Sequence, residues 1–308
     1  MVKKYLVKLI NLLAASLNGN LTSNFHVTAQ AAILSSRSNY ANLKSLSEAE
    51  LKIYSQWGED GIFDFFSHTL GIKKPLVLEV GAGEFQECNS RFLVEFRNAS
   101  ATLVDANLNL ESRVINSDLY WKTHLFPVVT WVTPSNINEI INNAKQKMKG
   151  IDFFSLDLDG NDYWILKAAN LTEFKVVVLE YNSIFGFEKC LSVPEDENFD
   201  RKLKHYSLLY FGASLPAYVK LMESKGFVFT GSNLINSNAF FVRNDMANKI
   251  TFDLPTNLSE FTDCRIRESR DEFGNMSYLT LNEGISLILN LPIIDLETET
   301  ESLISDVI

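Results

Sequence analysis

Apolar and polar positions alternate along the 308 residues in two different rhythms, and the change between them divides the chain. From residue 75 onward, short apolar runs end in polar residues or glycine: 76–80 before Gly81-Ala82-Gly83, 101–104 before Asp105, then 126–132, 151–159 and 175–180. Helix-length segments separate them. Continuous apolar runs of this length, bounded by turn residues, are the pattern of parallel strands covered on both faces. Five strand-plus-helix units predict a doubly wound α/β sheet. A helix near 215–225 leads into two further runs, 226–230 and 239–243, and the Gly/Asn/Ser turn between them predicts an antiparallel pair.

The ends of the chain follow neither rhythm. Leu6, Ile10, Leu13 and Leu17 recur at helical spacing opposite Lys4, Lys8, Asn11 and Asn18, which predicts an amphipathic helix. The same stretch has the outward form of a short secretory signal, but Lys8 and Asn11 interrupt its apolar part. Residues 18–50 are rich in Asn, Ser and Ala and read as a helical or partly irregular lead-in. Ser47 with Glu50 is a capping-box pattern that would start a short helix running to Tyr54. Residues 250–308 show no repeat of the strand pattern and end acidic. The expected organisation is a helical extension over 1–53, the α/β domain over 54–248 and a C-terminal extension over 249–308, with the two extensions available for homo-oligomer contacts.

Composition narrows the function classes. A hydrophobic fraction of 46% fills a real core, so a disordered chain is excluded. Lys+Arg 28 against Asp+Glu 38 gives a net charge of -10, which repels phosphate backbones, so no nucleic-acid partner is expected. Cys88, Cys190 and Cys264 form no CxxC pair, so neither a zinc knuckle nor a disulfide framework is expected, and a reduced, cytoplasmic compartment fits. No run reaches the ~18 apolar residues that span a bilayer, so no integral membrane segment is expected.

Candidate chemistry sits at the strand exits. The turn Glu79-Val80-Gly81-Ala82-Gly83-Glu84-Phe85-Gln86 opens onto a helix near Asn89 or Ser90, and glycines there let a ligand approach the backbone. A dinucleotide fingerprint needs a third glycine where Gln86 stands. Asp105, at the end of the second strand, is placed to accept both hydroxyls of a ribose. A ribose site without a pyrophosphate site points to a nucleoside cofactor; the alternative is an ordinary strand-to-helix turn with a solvated Asp.

Taken together, Tyr54-Ser55-Gln56-Trp57-Gly58-Glu59-Asp60-Gly61, the 79–83 loop, Glu87-Cys88-Asn89-Ser90, Val104-Asp105-Ala106-Asn107 and Asp157-Leu158-Asp159-Gly160-Asn161-Asp162 resemble class I S-adenosylmethionine-dependent methyltransferases, most of all the FkbM-type O-methyltransferases. The resemblance covers about 54–245. It implies a Rossmann-like sheet of seven strands whose last pair is antiparallel. It also implies S-adenosylmethionine at Gly81, Gly83 and Asp105, with Glu79, Asn89, Ala106 and Asp157 completing that site and Gln56, Glu59 and Asp60 nearby.

A second constellation lies two strands on. Asp157 and Asp159, as alternate residues of a strand, would share a face, as would Glu180 and Asn182. Crowded carboxylates must raise a pKa, bind a cation or pair with a base, and oxygen donors suit Mg²⁺ or another divalent cation such as Ca²⁺. Metal-dependent sugar O-methyltransferases use a similar Asp-x-Asp, which implies Asp157 as ligand and Asp159 as ligand or base, with Glu180 and Asn182 standing where an acidic pair is expected. The alternative is that Asp159-Gly160-Asn161-Asp162 makes a turn and caps a helix. The long stretch 183–214 mixes aromatic rings with carboxylates, as a carbohydrate-binding wall would, and His205 within it is the candidate general base. The expected activity is methyl transfer to a hydroxyl of a sugar, glycan or glycosylated small molecule. N- or carboxyl-methylation of a peptide or natural product, and a non-catalytic binding module on the same fold, are the alternatives; nicotinamide chemistry is disfavoured by Gln86.

Overall fold

The computed structural model describes residues 40–265 and 268–308. The first five apolar runs become β1 (Leu76–Val80), β2 (Ser100–Asp105), β3 (Leu125–Val129), β4 (Phe153–Leu156) and β5 (Val176–Glu180), all paired in parallel. Between them run α1 (Glu59–Thr69, ahead of β1), α2 (Arg91–Arg97), α3 (Leu110–Ile115), α4 (Ile137–Met148) and α5 (Asp162–Ala168). After β5 the chain makes an insertion holding β6 (Leu191–Ser192) and α6 (Arg201–Lys204), then α7 (Leu215–Ser224) and the hairpin β7 (Phe227–Ser232) and β8 (Asn238–Arg243). The sheet order is β3-β2-β1-β4-β5-β8-β7, with β8 antiparallel to both β5 and β7. This is the expected doubly wound, Rossmann-like sheet, seven strands with the last pair antiparallel. Strand order reverses between β1 and β4, and a ligand crevice opens at that point outside the carboxyl ends of the strands.

Alternation along each strand decides which helix it meets. Phe153 faces α1, stacked on Phe63 at 5.4 Å, while Phe154 faces the other layer and meets Phe174 at 5.2 Å. On α4 the residues Ile137, Ile140, Ile141, Ala144 and Met148 recur at i, i+3, i+4, i+7 and i+11 and are all buried in the core they share with Leu78, Val80, Leu156 and Val177. Covered on both faces, the strands need the unbroken apolar runs that mark them in the sequence.

A smaller layer stands beyond the sheet. β9 (Pro292–Asp295) pairs with β10 (Thr300–Leu303) and with β6, so the C-terminal segment builds a three-stranded antiparallel sheet with the insertion. Phe185, Leu191, Phe199 and Tyr210 of the insertion share a core with Ile288, Ile293 and Ile304, contributed by α8 (Leu281–Ile288), β9 and α9 (Ile304–Val307). Residues 41–308 make one compact unit, in which the 281–308 part of the C-terminal extension shares a core with the insertion.

Two local expectations change. The fourth strand stops at Leu156, short of Asp157. The Ser47/Glu50 capping box does not form: residues 46–49 make one 3-10 turn without a side-chain cap, and the Glu50 carboxylate instead accepts the backbone N–H of Leu234. The amphipathic helix and the signal alternative fall on residues outside those described, as does most of the 1–53 extension. Among the described residues no helix is long and apolar enough to cross a membrane.

Candidate active site

The loop leaving β1 is shaped by its neighbours. Gly81 adopts φ 94°, and a Cβ built there would lie 1.7 Å from the carbonyl oxygen of Asp157, so the backbone leaving β4 occupies the space a side chain would need. Gly83, at φ 55°, faces open space. Its N–H donates to Asp105 Oδ2 at 2.7 Å, and Asn107 N–H donates to Oδ1 at 2.8 Å, so one carboxylate ties the β1 loop to the end of β2. Each oxygen retains a lone pair for a ligand hydroxyl.

Several residues expected to hold cofactor turn inward instead. Glu79 is buried, accepts the N–H groups of Asn89 at 2.6 Å and Ser90 at 3.0 Å, and takes the Ser90 hydroxyl as well. It thereby fixes the start of α2, whose first N–H groups have no intrahelical acceptor. Burial pushes its pKa up, and the bound donors oppose that. Asn89 Nδ2 donates to Ser155 Oγ at 3.0 Å. Asp60 gathers the N–H groups of Ile53, Tyr54 and Ser55 on one oxygen at 2.7, 2.6 and 2.9 Å, and burial lifts its pKa to about 6. Glu59 accepts from Trp57 N–H at 2.9 Å and from the amides of Asn233 and Asn238 at 2.8 Å each. Glu59 and Asp60 fold the segment; Gln56 and Trp57 are its members on the cavity wall. Glu59, Glu79 and Asn89 border only a small chamber of about 50 Å³, which Asp157 also touches.

The acidic cluster forms by a turn rather than by strand alternation. Asp162 is buried and accepts the N–H groups of Leu158 and Gly160, each at 2.8 Å, which curls the backbone and leaves Asp159 at φ 58°. Asp and Asn tolerate that conformation better than most residues. Oxygens of Asp157, Asp159 and Glu180 come within 4.8 Å of one another. Burial first, and then the neighbouring carboxylates, push the pKa values of Asp157 and Glu180 well up. Arg201 opposes both shifts; its Nη1 pairs with Asp159.

Asn182 does not join the cluster. Its Nδ2 donates to the carbonyls of Leu209 and Phe211 at 2.9 and 3.0 Å, and its Oδ1 accepts Ile184 N–H at 3.1 Å, so the amide is spent anchoring the insertion. His205 is not on the cavity wall. Its Nδ1 accepts Ser207 N–H at 3.3 Å and lies 2.7 Å from Ser207 Oγ, and burial lowers its pKa. Away from the cavity wall, the ring does not meet an acceptor bound there. Of the aromatic residues in the insertion, Phe185 and Tyr210 are core, Tyr206 packs on His205, and Phe199 and Phe211 reach the cavity.

These parts enclose a cavity of about 1030 Å³. One end is lined by Gln56, Gly81, Gly83, Asp105, Ala106, Thr130 and Trp131, the other by Asp157, Asp159, Glu180, Phe199, Arg201 and Phe211. The C-terminal segment, with Asp263, Cys264, Arg265, Glu268, Leu279 and Gly284, completes the wall. A nucleoside fits the first end by donor chemistry: an accessible glycine backbone beside a carboxylate with free lone pairs. A divalent cation fits the second by its three carboxylates. Arg201 and the 263–284 wall carry no sequence signal of their own, since each reaches the cavity only through tertiary packing.

No protein-family model matches the chain, and no curated protein matches it. Among solved structures, the fibrillarin pre-rRNA processing protein of Methanococcus jannaschii is similar at 12% identity over 56% of this chain and 67% of its own, with a TM-score of 0.36. An O-methyltransferase family protein from Burkholderia thailandensis is similar at 12% identity over 60% of this chain and 59% of its own, with a TM-score of 0.34. The N-terminal domain of EvdMO1, solved in the presence of SAH and D-fucose, is similar at 11% identity over 60% of this chain and 80% of its own, with a TM-score of 0.37. The matched stretch is less than two thirds of the Burkholderia protein's length. These are distant likenesses, and the cavity's own residues bear on function more directly.

Proposed function

We propose that the chain is an S-adenosylmethionine-dependent O-methyltransferase acting on a hydroxyl of a sugar, a glycan or a glycosylated small molecule, with a divalent cation such as Mg²⁺ held at Asp157, Asp159 and Glu180. One observation carries this above the rest: the glycine loop with Asp105 and the three-carboxylate cluster line the same cavity, at the carboxyl ends of neighbouring strands. Bound at the first end, S-adenosylmethionine supplies a methyl group on a positively charged sulfur. The protein's tasks are then to align the acceptor oxygen and to take its proton.

Asp159 is the group placed to meet the acceptor, because its side chain is 55% exposed while Asp157 and Glu180 are half-buried. With no metal bound, Arg201 pairs with it. Asp159 is thus the candidate group to take the acceptor's proton. The wall carries Asp105, Glu197, Asp200, Asp263 and Glu268 besides the cluster, against Arg201, Lys202 and Arg265, a balance that favours neutral or cationic acceptors over phosphorylated ones.

Calorimetric titration with S-adenosylhomocysteine against NAD tests the cofactor class. Binding of NAD with no binding of S-adenosylhomocysteine would overturn it. A panel of glycans, nucleotide sugars and glycosylated natural products, scored for methyl uptake, tests the acceptor class; uptake by a peptide or amine alone would replace the hydroxyl with a nitrogen or carboxyl acceptor.

A further inference from the structure

The acidic cluster already has a cation beside it, and that cation belongs to the chain. Arg201, at the start of α6, places Nη1 on Asp159 Oδ1. Its guanidinium carbon stands 3.7 Å from the ring centroid of Phe211, and its Nε donates to the carbonyl of Leu208 at 2.6 Å. A carboxylate, a ring face and a carbonyl thus hold the group from three sides, and the side chain is only 19% exposed. This is a built position; an arginine reaching through solvent would give up its rotamer freedom for little return. Its charge acts on Glu180, Asp159 and Asp157 together.

Oxygens within 4.8 Å of one another are close enough to surround one hard cation, whose ligands lie at about 2.0–2.6 Å. Asp159 is a member of that set and also the carboxylate that holds the guanidinium. Two cations sharing one carboxylate in a half-buried site repel each other more strongly than they would in water.

We propose that Arg201 and a divalent cation are alternative partners of Asp159, and that Arg201 is the residue that sets how tightly the cluster binds metal. This rests on the metal part of the function proposed above and adds to it the residue that controls occupancy. Until a metal enters, the chain neutralises its own cluster; metal entry requires the guanidinium to leave Asp159, while Phe211 and Leu208 keep it near.

Mn²⁺ binding to the full chain, followed by electron paramagnetic resonance without cofactor or acceptor, tests this directly. Arg201→Gln is expected to bind Mn²⁺ at least tenfold more tightly than the wild type. Arg201→Lys, which keeps the charge, is expected to stay within about threefold of it. If Asp159→Asn weakens Mn²⁺ binding but Arg201→Gln does not strengthen it, the metal site stands and the role of Arg201 is overturned. If none of the proteins binds Mn²⁺, the metal part of the proposed function fails and this inference with it; S-adenosylhomocysteine titration of the same samples shows whether the methyltransferase part survives. Should Arg201→Gln lose its near-ultraviolet circular dichroism, Arg201→Met serves instead, since it removes the charge and keeps an apolar side chain against Phe211. It is expected to tighten Mn²⁺ several-fold, and no change would overturn the inference.

Discussion

Gly81 and Gly83 stand two residues apart in one loop, yet they should fail in different ways. At Gly81 a methyl group meets the Asp157 carbonyl at 1.7 Å, and its neighbour is backbone that no rotamer change can move. Asp157 N–H is itself bonded to the Val80 carbonyl at 3.0 Å, so relief requires β1 and β4 to part at their ends. Overpacking of this kind costs about 1–3 kcal/mol, and a non-glycine residue at positive φ adds about 1–2 kcal/mol. Gly81→Ala should therefore lose about 2–5 kcal/mol of stability, a large share of the ~5–15 kcal/mol typical of a native protein. At Gly83 a methyl group meets nothing within 4 Å, so Gly83→Ala should cost only the backbone term of about 1–2 kcal/mol. Gly83 does, however, line the cavity. Its methyl group stands where a ligand approaches, and S-adenosylhomocysteine binding should weaken by more than about tenfold, or ~1.4 kcal/mol. Urea denaturation read with a common m-value measures the first effect, and titration calorimetry on the folded variants measures the second. A Gly81→Ala protein less than about 1 kcal/mol below wild type would refute the steric reasoning. A stable Gly83→Ala protein with wild-type affinity would remove the cofactor from this end of the cavity.

Other expectations are sharp enough to check with single variants. Asp105→Ala should weaken S-adenosylhomocysteine binding by roughly 1.5–3 kcal/mol, the worth of a hydrogen bond to a charged group, while Asp105→Asn, which still accepts one loop N–H, should lose less; equal affinity in all three proteins by calorimetry would refute it. Asp159→Asn should lower kcat by about 10²–10⁴ with cofactor affinity intact, whereas His205→Ala should stay within about twofold; the reverse order in a methyl-transfer assay would return the base to the insertion. Glu50 has its pKa lifted from 4.5 to about 7, by burial first and then by Glu59. The folded state therefore holds more protons than the unfolded state between those values, so this group's contribution is full at low pH and is lost as pH rises through 7. Glu50→Gln should gain in urea midpoint over wild type at pH 8 relative to pH 5, and a pH-independent difference would sink the assignment.

The large sheet is legible in the sequence for a physical reason. A strand covered on both faces has no polar side to show, so it appears as an unbroken apolar run, and all seven runs of that kind become strands of the sheet. The small sheet is not legible. β6 has two residues and β9 and β10 four each, too short for a period to emerge, and β6 finds β9 about a hundred residues further along. Within the site, residue types are legible and orientations are not. Glu59, Asp60 and Glu79 are carboxylates beside turns, where a backbone N–H group and a ligand are equally suitable partners; which one wins depends on the fold bringing donors such as Asn233 and Asn238 to Glu59.

The same distinction explains how Asp157 and Asp159 come together although the supposed strand periodicity does not extend to them. β4 ends at Leu156, and the chain then enters a turn whose geometry is set by Asp162, a residue the Asp-x-Asp pattern does not include. The carboxylate that reads as a helix cap spends both its oxygens on the backbone of the acidic turn, so the turn reading and the cluster reading of 157–162 describe one device: Asp162 makes the turn, and the turn presents Asp159. The balancing charge comes from 42 residues further along, on an insertion whose rings read as a binding wall. Phe199 closes against Gly160, where a Cβ would meet its ring at 2.3 Å, and Phe211 carries the guanidinium. Part of the aromatic character of the insertion therefore positions Arg201 over the acidic turn, and the cluster and the insertion depend on each other for both packing and charge.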